Sequence, residues 1–209
     1  MNITLIFFLG LIIALVGVIP PGLLNVSAAK ISLKEGYSRG IVFSIGVCIT
    51  VAFQTYIAII FARYLSNHPD IVEVLKQVAL VIFILITIYY FFFAKKDTKA
   101  DVNTNGRSKK SRLFLGIFMS AINVFPIPYQ AYMGITLATF GLLNFEQISI
   151  ISYVAGAMSG TFVMLYIYIF FFERIKNKKF TTQKNMNYLI GGITGAISIV
   201  TLISIIMNL

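Results

Sequence analysis

The sequence predicts an all-α polytopic membrane protein, with six transmembrane helices arranged as two inverted three-helix repeats with broken first helices. Three observations lead to this prediction. Of the 209 residues, 58 % are hydrophobic and only 11 % are charged, whereas a soluble domain carries roughly a quarter charged residues. The apolar residues form six runs, each long enough for the roughly 20 residues that span a bilayer. The basic residues are concentrated in the loops on one side of these runs.

The composition also excludes several classes of protein. A mean hydropathy of +0.90 excludes long disordered regions. The single cysteine, Cys48, excludes a disulfide framework. The net charge of +10 comes from short loops rather than from one basic face, so no nucleic-acid partner is expected. The expected surroundings of the chain are the lipid bilayer.

The apolar runs define the predicted spans. The first run is not typical of a cleavable signal peptide, because no Lys or Arg precedes it and no small-residue cleavage site follows it. It is therefore interpreted as the first membrane helix. The six runs cover about 2–30, 40–62, 72–94, 113–140, 147–172 and 187–208.

The loop charges predict the orientation. Fifteen of the 17 basic residues lie in the loops after the first, third and fifth runs, and only Arg63 and Lys76 lie on the other side. Because cytoplasmic loops carry the excess of Lys and Arg, both termini are predicted outside. The longest loop, 95–112, is predicted to be a basic cytoplasmic linker. It separates a first three-helix repeat at 1–94 from a second, inverted one at 113–209.

Each half contains prolines within its first run, at corresponding places. The first run has Pro20, Pro21 and Gly22, and the fourth has Pro126 and Pro128. A proline lacks an N–H and frees the carbonyl four residues earlier. The half-helix that begins after it is predicted to present free amides, near 22–24 and near 129–131, at a positive dipole end. Such amides suit a carboxylate, and released carbonyls suit an ammonium group or a coupling cation. Kinked helices with ordinary packing are the alternative, but two matching breaks favour a binding site.

Side-chain amides lie near both breaks. Asn25, Asn123 and Gln130 flank them, and Gln54 lies in the middle of the second span. These amides are predicted to orient a zwitterionic ligand by neutral hydrogen bonds, although buried amides also join helices. The predicted substrate-binding set is Pro20, Pro21, Gly22, Asn25, Gln54, Asn123, Pro126, Pro128 and Gln130.

Ionisable residues are missing from the middle of every run. The only histidine, His68, lies in a polar turn. The sequence has no metal-ligand cluster, no nucleophile–base pair and no phosphate-binding loop. Since buried ionisable groups mark chemistry in membranes, no enzymatic activity, cofactor or metal is expected. The coupling ion is left open.

Small residues are frequent in the last two spans. Gly156 and Gly160 lie four residues apart, and Gly191, Gly192 and Gly195 recur in the sixth span. They predict close helix packing within the monomer or, alternatively, the contact of a homodimer. The aromatic clusters at 89–93 and 166–172 are interpreted as interfacial anchors or lipid-facing bulk.

Three segments carry a resemblance to a known family. Residues 20–25, read as Pro-Pro-Gly-Leu-Leu-Asn, resemble the proline–glycine signature of LysE-type (LysE/RhtB) amino-acid exporters. Residues 34–40 resemble the basic, glycine-containing first loop of that family. Residues 116–128, with Asn123 and Pro126, resemble its Asn-Pro motif.

The chain also departs from the family pattern, as a divergent member would. The first motif reads Pro-Pro-Gly rather than Pro-Gly-Pro, and Val124 and Phe125 separate the asparagine from the proline. No acidic residue occurs at 50–54, where many members carry one.

The resemblance implies a secondary transporter of the bacterial inner membrane. It would export amino acids or related small zwitterionic metabolites by alternating access. A carrier of an inorganic cation or another metabolite is one alternative, although divalent sites normally need carboxylates. A non-transporting membrane scaffold that binds a partner through its glycine faces is the other.

Overall fold

The computed structural model describes residues 2–19, 22–68 and 108–175, with isolated positions between 71 and 92 and between 195 and 203. These residues include six continuous helices and no strand, so the predicted all-α class is confirmed. The chain divides into two compact units, one of Met1–Ser66 with Asn103–Asn177 and one of Asn67–Val102 with Lys178–Leu209.

All six helices belong to the first unit. Two of them begin at a polar side chain that accepts from backbone amides. The Asn2 side chain accepts from the amide of Thr4 at 3.0 Å, and the Ser108 hydroxyl accepts from that of Ser111 at 3.3 Å. The helices are α1 Ile3–Val18, α2 Leu23–Glu35, α3 Tyr37–Ser66, α4 Lys109–Ile122, α5 Pro126–Thr139 and α6 Gln147–Ile175.

Both predicted breaks are present as sharp bends. Helices α1 and α2 meet at 82°, and α4 and α5 meet at 64°. Helix α3 and residues Gln147–Phe171 of α6 are each long and apolar enough to cross a membrane. If each bent pair is counted as one span, the described residues hold up to four.

The third and sixth predicted spans, 72–94 and 187–208, lie largely outside the described residues. The positions described within them are helical. In this second unit Gly195 lies against Thr87. A Cβ added to the glycine would be 3.5 Å from the threonine methyl carbon.

The corner between α2 and α3 corrects the predicted end of the first run. Helix α2 continues past residue 30 to Glu35, and α3 begins at Tyr37, so Gly36 alone joins them. Gly36 has φ +98°, a conformation that glycine adopts without strain. Its N–H bonds to the Ser32 carbonyl at 3.0 Å. Helix α2 therefore continues through the charged residues of this segment and ends at a glycine with positive φ.

Two helix pairs make close backbone contact through glycines. Helix α1 packs on α6, and α4 packs on α3. Gly10 is the eighth residue of α1, and Gly116 is the eighth residue of α4. Gly46 is the tenth residue of α3, and Gly156 is the tenth residue of α6. A Cβ at any of the four would overlap a backbone carbonyl oxygen of the facing helix. Small residues therefore set the separation of both pairs.

Both glycine pairs consist of helices that run in the same direction. Along α1 and α6 the contacts advance together, from Ser152 on Ile3 to Gly160 on Leu11. Along α3 and α4 they advance from Phe43 on Gly116 to Gln54 on Asn123.

The apolar side chains form an interior and a broad apolar exterior. One buried cluster joins α2, α3 and α6 around Ala28, Phe43 and Leu165. On the outer faces Phe53 and Phe118 are about two-thirds exposed. Apolar surface of this extent suits contact with lipid chains.

We expect Gly156→Ala to lower the free energy of unfolding by about 1–3 kcal/mol, the usual effect of forcing an extra methyl group into a packed interface. The new Cβ would overlap the carbonyl oxygen of Phe7, which belongs to a helix backbone and cannot turn aside. Thermal unfolding in detergent measures the effect. Gly195→Ala is the matched control, since its Cβ has ordinary contact distances; equal behaviour of the two variants would contradict the glycine packing.

Candidate functional site

The carbonyl groups at the end of α1 are paired within the protein. The side chain of Asn25 is buried, and its Nδ2 donates to the Val18 carbonyl at 2.8 Å. The Tyr168 hydroxyl, from α6, donates to the Ile19 carbonyl at 2.7 Å and also bonds to the Asn25 side chain. The Ile19 amide turns back to the Val16 carbonyl at 3.3 Å. Side chains of α2 and α6 therefore pair the carbonyl groups at the first break.

The beginning of α2 presents backbone amides. The helix starts at Leu23, and its N-cap is Gly22, which has no side chain to accept from the first-turn amides. The first bond within the helix is from the Val26 amide to the Gly22 carbonyl at 3.0 Å. The amides of the first turn therefore form a donor site at the positive end of the helix dipole.

The carbonyl groups at the end of α4 are paired with α3. The Gln54 side chain donates from Nε2 to two carbonyl oxygens, that of Ser120 at 3.1 Å and that of Asn123 at 3.0 Å. Four residues earlier, the Thr50 hydroxyl donates to the Ile117 carbonyl at 3.2 Å. Gln54 and Asn123, two predicted site residues, are thus in direct contact through a side chain and a backbone carbonyl.

The beginning of α5 differs from the prediction of free amides near 129–131. Pro126 and Pro128 lie inside the first turn of the helix and contribute no N–H. The amides of Ile127 and Tyr129 bond to carbonyls three and four residues earlier, at 3.2 and 3.4 Å. The prolines start the second half-helix rather than precede it, so its first turn offers no donor at these four positions.

Two buried oxygen atoms beside the second break have no partner among the described residues. They are Gln54 Oε1 and Thr55 Oγ1, in side chains that are 6 % and 0 % exposed. Near them, α3 contacts α4 at Gly46 and α5 at Ile59, so the adjacent residues Gln54 and Thr55 lie where α3 passes the bend. Since buried acceptors are nearly always hydrogen-bonded, the two atoms mark a place for a donor.

Tyr129 brings the second break against the first. Its hydroxyl donates to the Ile13 carbonyl of α1 at 2.9 Å. Its ring lies against Gly17, where an added Cβ would be 2.6 Å from the ring. The next residue, Gln130, is 3 % exposed and accepts a bond from the Tyr153 hydroxyl at 2.7 Å. The start of α5 is therefore fixed to α1 and α6.

The predicted site residues divide by burial. Asn25, Gln54 and Gln130 are buried and hydrogen-bonded within the protein. Gly22, Asn123 and Pro126 are half-buried, and Pro128 is exposed. Pro20 and Pro21 lie outside the described residues.

The sequence reasoning missed three tyrosines, Tyr129, Tyr153 and Tyr168. Each hydroxyl bonds to a group at or near a break. A tyrosine within an apolar run carries a hydroxyl that needs a partner when it is buried. A tyrosine in an apolar run is the only sign of this role in the sequence, and an interfacial anchor has the same sign.

A second missed feature is a buried ion pair between Glu35 and Arg112. Arg112 Nε donates to Glu35 Oε2 at 2.7 Å, and Nη2 contacts Oε1. The two side chains are 3 % and 0 % exposed. Both residues lie in predicted loops between the apolar runs, where nothing in the sequence indicates burial. Among the described residues no three His, Cys, Asp or Glu side chains are grouped to hold a metal ion.

The sequence matches the family profile of LysE type translocators over residues 15–204. The chain belongs to the LysE type translocator family. The resemblance of the proline–glycine segment to this family is thereby confirmed, and the protein is a multi-pass membrane protein of a translocator family. Comparison with curated proteins and with solved structures gives no match to this LysE-type translocator.

We expect Tyr129→Phe to lower the free energy of unfolding by about 0.5–1.5 kcal/mol, the net contribution of one hydrogen bond. The substitution keeps the ring against Gly17 but leaves the Ile13 carbonyl without the hydroxyl donor. Denaturant unfolding in detergent measures the change. Tyr132→Phe, on the exposed side of α5, is the matched control. An unchanged stability for Tyr129→Phe would show that the bond contributes nothing to holding α5 against α1.

Proposed function

We propose that this LysE-type translocator is a secondary transporter that exports amino acids or related small zwitterionic metabolites across the bacterial inner membrane. The observation that carries the proposal is the chemical difference between its two adjacent breaks. The start of α2 offers backbone amides beside Gly22, whereas the second break offers the unpartnered acceptors of Gln54 and Thr55. A zwitterion matches both, because it has one acceptor end and one donor end.

The substrate carboxylate binds at the start of α2. The amides of the first turn point toward it, and the dipole of the 13-residue helix makes this end positive. Asn25 keeps this helix start in place by bonding to the Val18 carbonyl. In the sequence, Pro20 and Pro21 directly precede this helix start.

The substrate ammonium group binds beside the second break. It donates to Gln54 Oε1 and Thr55 Oγ1, both of which are acceptors without a partner in the described part of the chain. Gln54 is held in the required orientation because its Nε2 is engaged by two carbonyls, one of them from Asn123. Pro126, Pro128 and Gln130 fix the start of α5 opposite.

The helix arrangement supports two inverted repeats, with 95–112 as the cytoplasmic linker between 1–94 and 113–209. The glycines of α1 and α4, and those of α3 and α6, occupy the same positions in their helices. Helices α3 and α4 run in the same direction, so the chain has to return between Ser66 and Lys109, as a third span would. The one-sided loop charge favours termini outside.

The two glycine pairs support alternating access as the mechanism. Each pair, α1 with α6 and α3 with α4, packs backbone to backbone, so it moves as one body more easily than it separates. The breaks lie between these pairs, and a small rotation of one pair against the other opens the substrate to one side at a time.

Counterflow in proteoliposomes with a panel of labelled amino acids tests the function. We expect saturable exchange of one class of amino acid by the wild-type protein. Pro21→Ala/Pro126→Ala, which removes one of the two prolines from each break, should impair the exchange. Absence of exchange with every amino acid, in folded and correctly inserted protein, would reject the amino-acid substrate.

A pair of threonine variants tests the ammonium position. Thr55→Val removes an oxygen that has no partner among the described residues, so we expect unchanged stability but a half-saturation concentration raised about twofold to tenfold, as for one lost hydrogen bond. Thr50→Val is the matched control with the opposite pattern. It loses the bond to Ile117 and hence stability, while its affinity stays near that of the wild type. Unchanged affinity in Thr55→Val would place the ammonium group elsewhere.

A further inference from the structure

The ion pair of Glu35 and Arg112 lies at the opposite end of α2 from the break. Glu35 is the last residue of α2, and Arg112 is in the first turn of α4. Two nitrogen atoms of the guanidinium group contact the two carboxylate oxygens. The Arg39 side chain, from the start of α3, also donates to the Glu35 backbone carbonyl at 2.6 Å.

This pair is the main link between α2 and α4. Helix α2 packs on α3 and α6, and α4 packs on α3, while α2 and α4 otherwise touch only slightly. Apolar packing therefore does little to keep these two helix ends together. The ion pair does so, and it joins two elements that belong to different predicted repeats.

The chemistry of the pair suits an interaction that forms and breaks. Removing two charges from water opposes their attraction, so a buried ion pair adds little to stability over an apolar pair of similar volume. In addition, Arg112 Nη1 is buried without a partner among the described residues. A buried donor without a partner costs free energy, which further lowers the stability that the closed pair provides.

The pair lies at the predicted cytoplasmic end. Lys34, one residue before Glu35, belongs to the first basic loop segment, and the exposed Lys109 and Lys110 precede Arg112. This end carries the basic excess that marks the cytoplasmic side.

We propose that Glu35 and Arg112 form a latch that holds the cytoplasmic end of the transporter closed. The latch is engaged in the conformation described here. It breaks when the substrate path opens to the cytoplasm, where water then solvates both charges. The proposal rests on alternating access but not on the identity of the substrate, so it is testable without transport.

Cys48 is a natural reporter of this opening. It is the only cysteine, it is 5 % exposed, and it belongs to the buried cluster that includes Ala28 and Ile31 of α2. Movement of α2 away from α4 loosens this cluster and exposes the thiol. The rate of Cys48 alkylation in the folded protein therefore reports how often the end is open.

The first experiment measures Cys48 alkylation in full-length protein, well below its melting temperature. We expect Glu35→Gln/Arg112→Gln, which removes both charges and leaves none buried alone, to raise the rate about tenfold, close to the low end of the coupling energies of close charge pairs. The charge swap Glu35→Arg/Arg112→Glu should return the rate toward that of the wild type. Lys110→Gln, which removes one exposed charge nearby, should leave the rate unchanged.

The second experiment holds the predicted cytoplasmic end closed with a covalent cross-link. In a Cys48→Ser background, Glu35→Cys/Arg112→Cys is joined by a reducible bis-methanethiosulfonate cross-linker. We expect the cross-link to stop counterflow of the exchanged amino acid and a reductant to restore it.

Three results would overturn the latch. One is a doubly neutral variant that alkylates like the wild type, and another is a charge swap that alkylates as fast as that variant. The third is continued exchange by cross-linked protein. The alkylation results stand even if no amino acid is exchanged, so failure of the latch and failure of the proposed substrate are distinguishable.

Discussion

Every backbone polar group inside a membrane needs a hydrogen-bond partner, and this structure depends on that constraint. The two breaks interrupt the helical hydrogen bonds, and the long helices α3 and α6 supply many of the replacements. Gln54 and Thr50 reach the carbonyls at the end of α4, and Tyr168 reaches the one after α1. Thr50 can do this only because Gly46 lets the α3 and α4 backbones touch. The glycine contacts thus bring α3 close enough to α4 for its side chains to reach the second break.

The described helices repeat their glycine contacts, whereas the two breaks differ in chemistry. The glycines fall at the same positions of corresponding helices, so the contact geometry is repeated. At the breaks, however, one half has a glycine before its second helix and the other has two prolines within its second helix. The first arrangement keeps backbone donors and the second removes them. The glycine contacts are therefore repeated while the chemistry of the breaks differs, and the proposed binding of a molecule with unlike ends depends on that difference.

Much of this followed from the sequence, and the failures have physical reasons. The all-α class and the breaks were predictable because Pro20 and Pro126 interrupt runs too long for one straight span. The start of α5 was placed too late, since a proline fits the first turn of a helix as well as the position before it. The Glu35–Arg112 pair was not predictable, because 77 residues separate its members and only the tertiary packing brings them together. The same applies to the unpartnered oxygen of Thr55, which depends on how α4 and α5 lie across α3.

The single-residue corner at Gly36 has a mechanical consequence. Helix α2 is 13 residues long, which makes it a rod of roughly 20 Å, and Gly36 joins it to α3 without any slack. A rotation of the rod by about 10° about this corner would displace its far end by roughly 3 Å, given that length. That displacement equals the length of a hydrogen bond. A torsional change in one glycine at the end of α2 is therefore amplified by leverage into the making or breaking of contacts at the first break, at the other end of the helix.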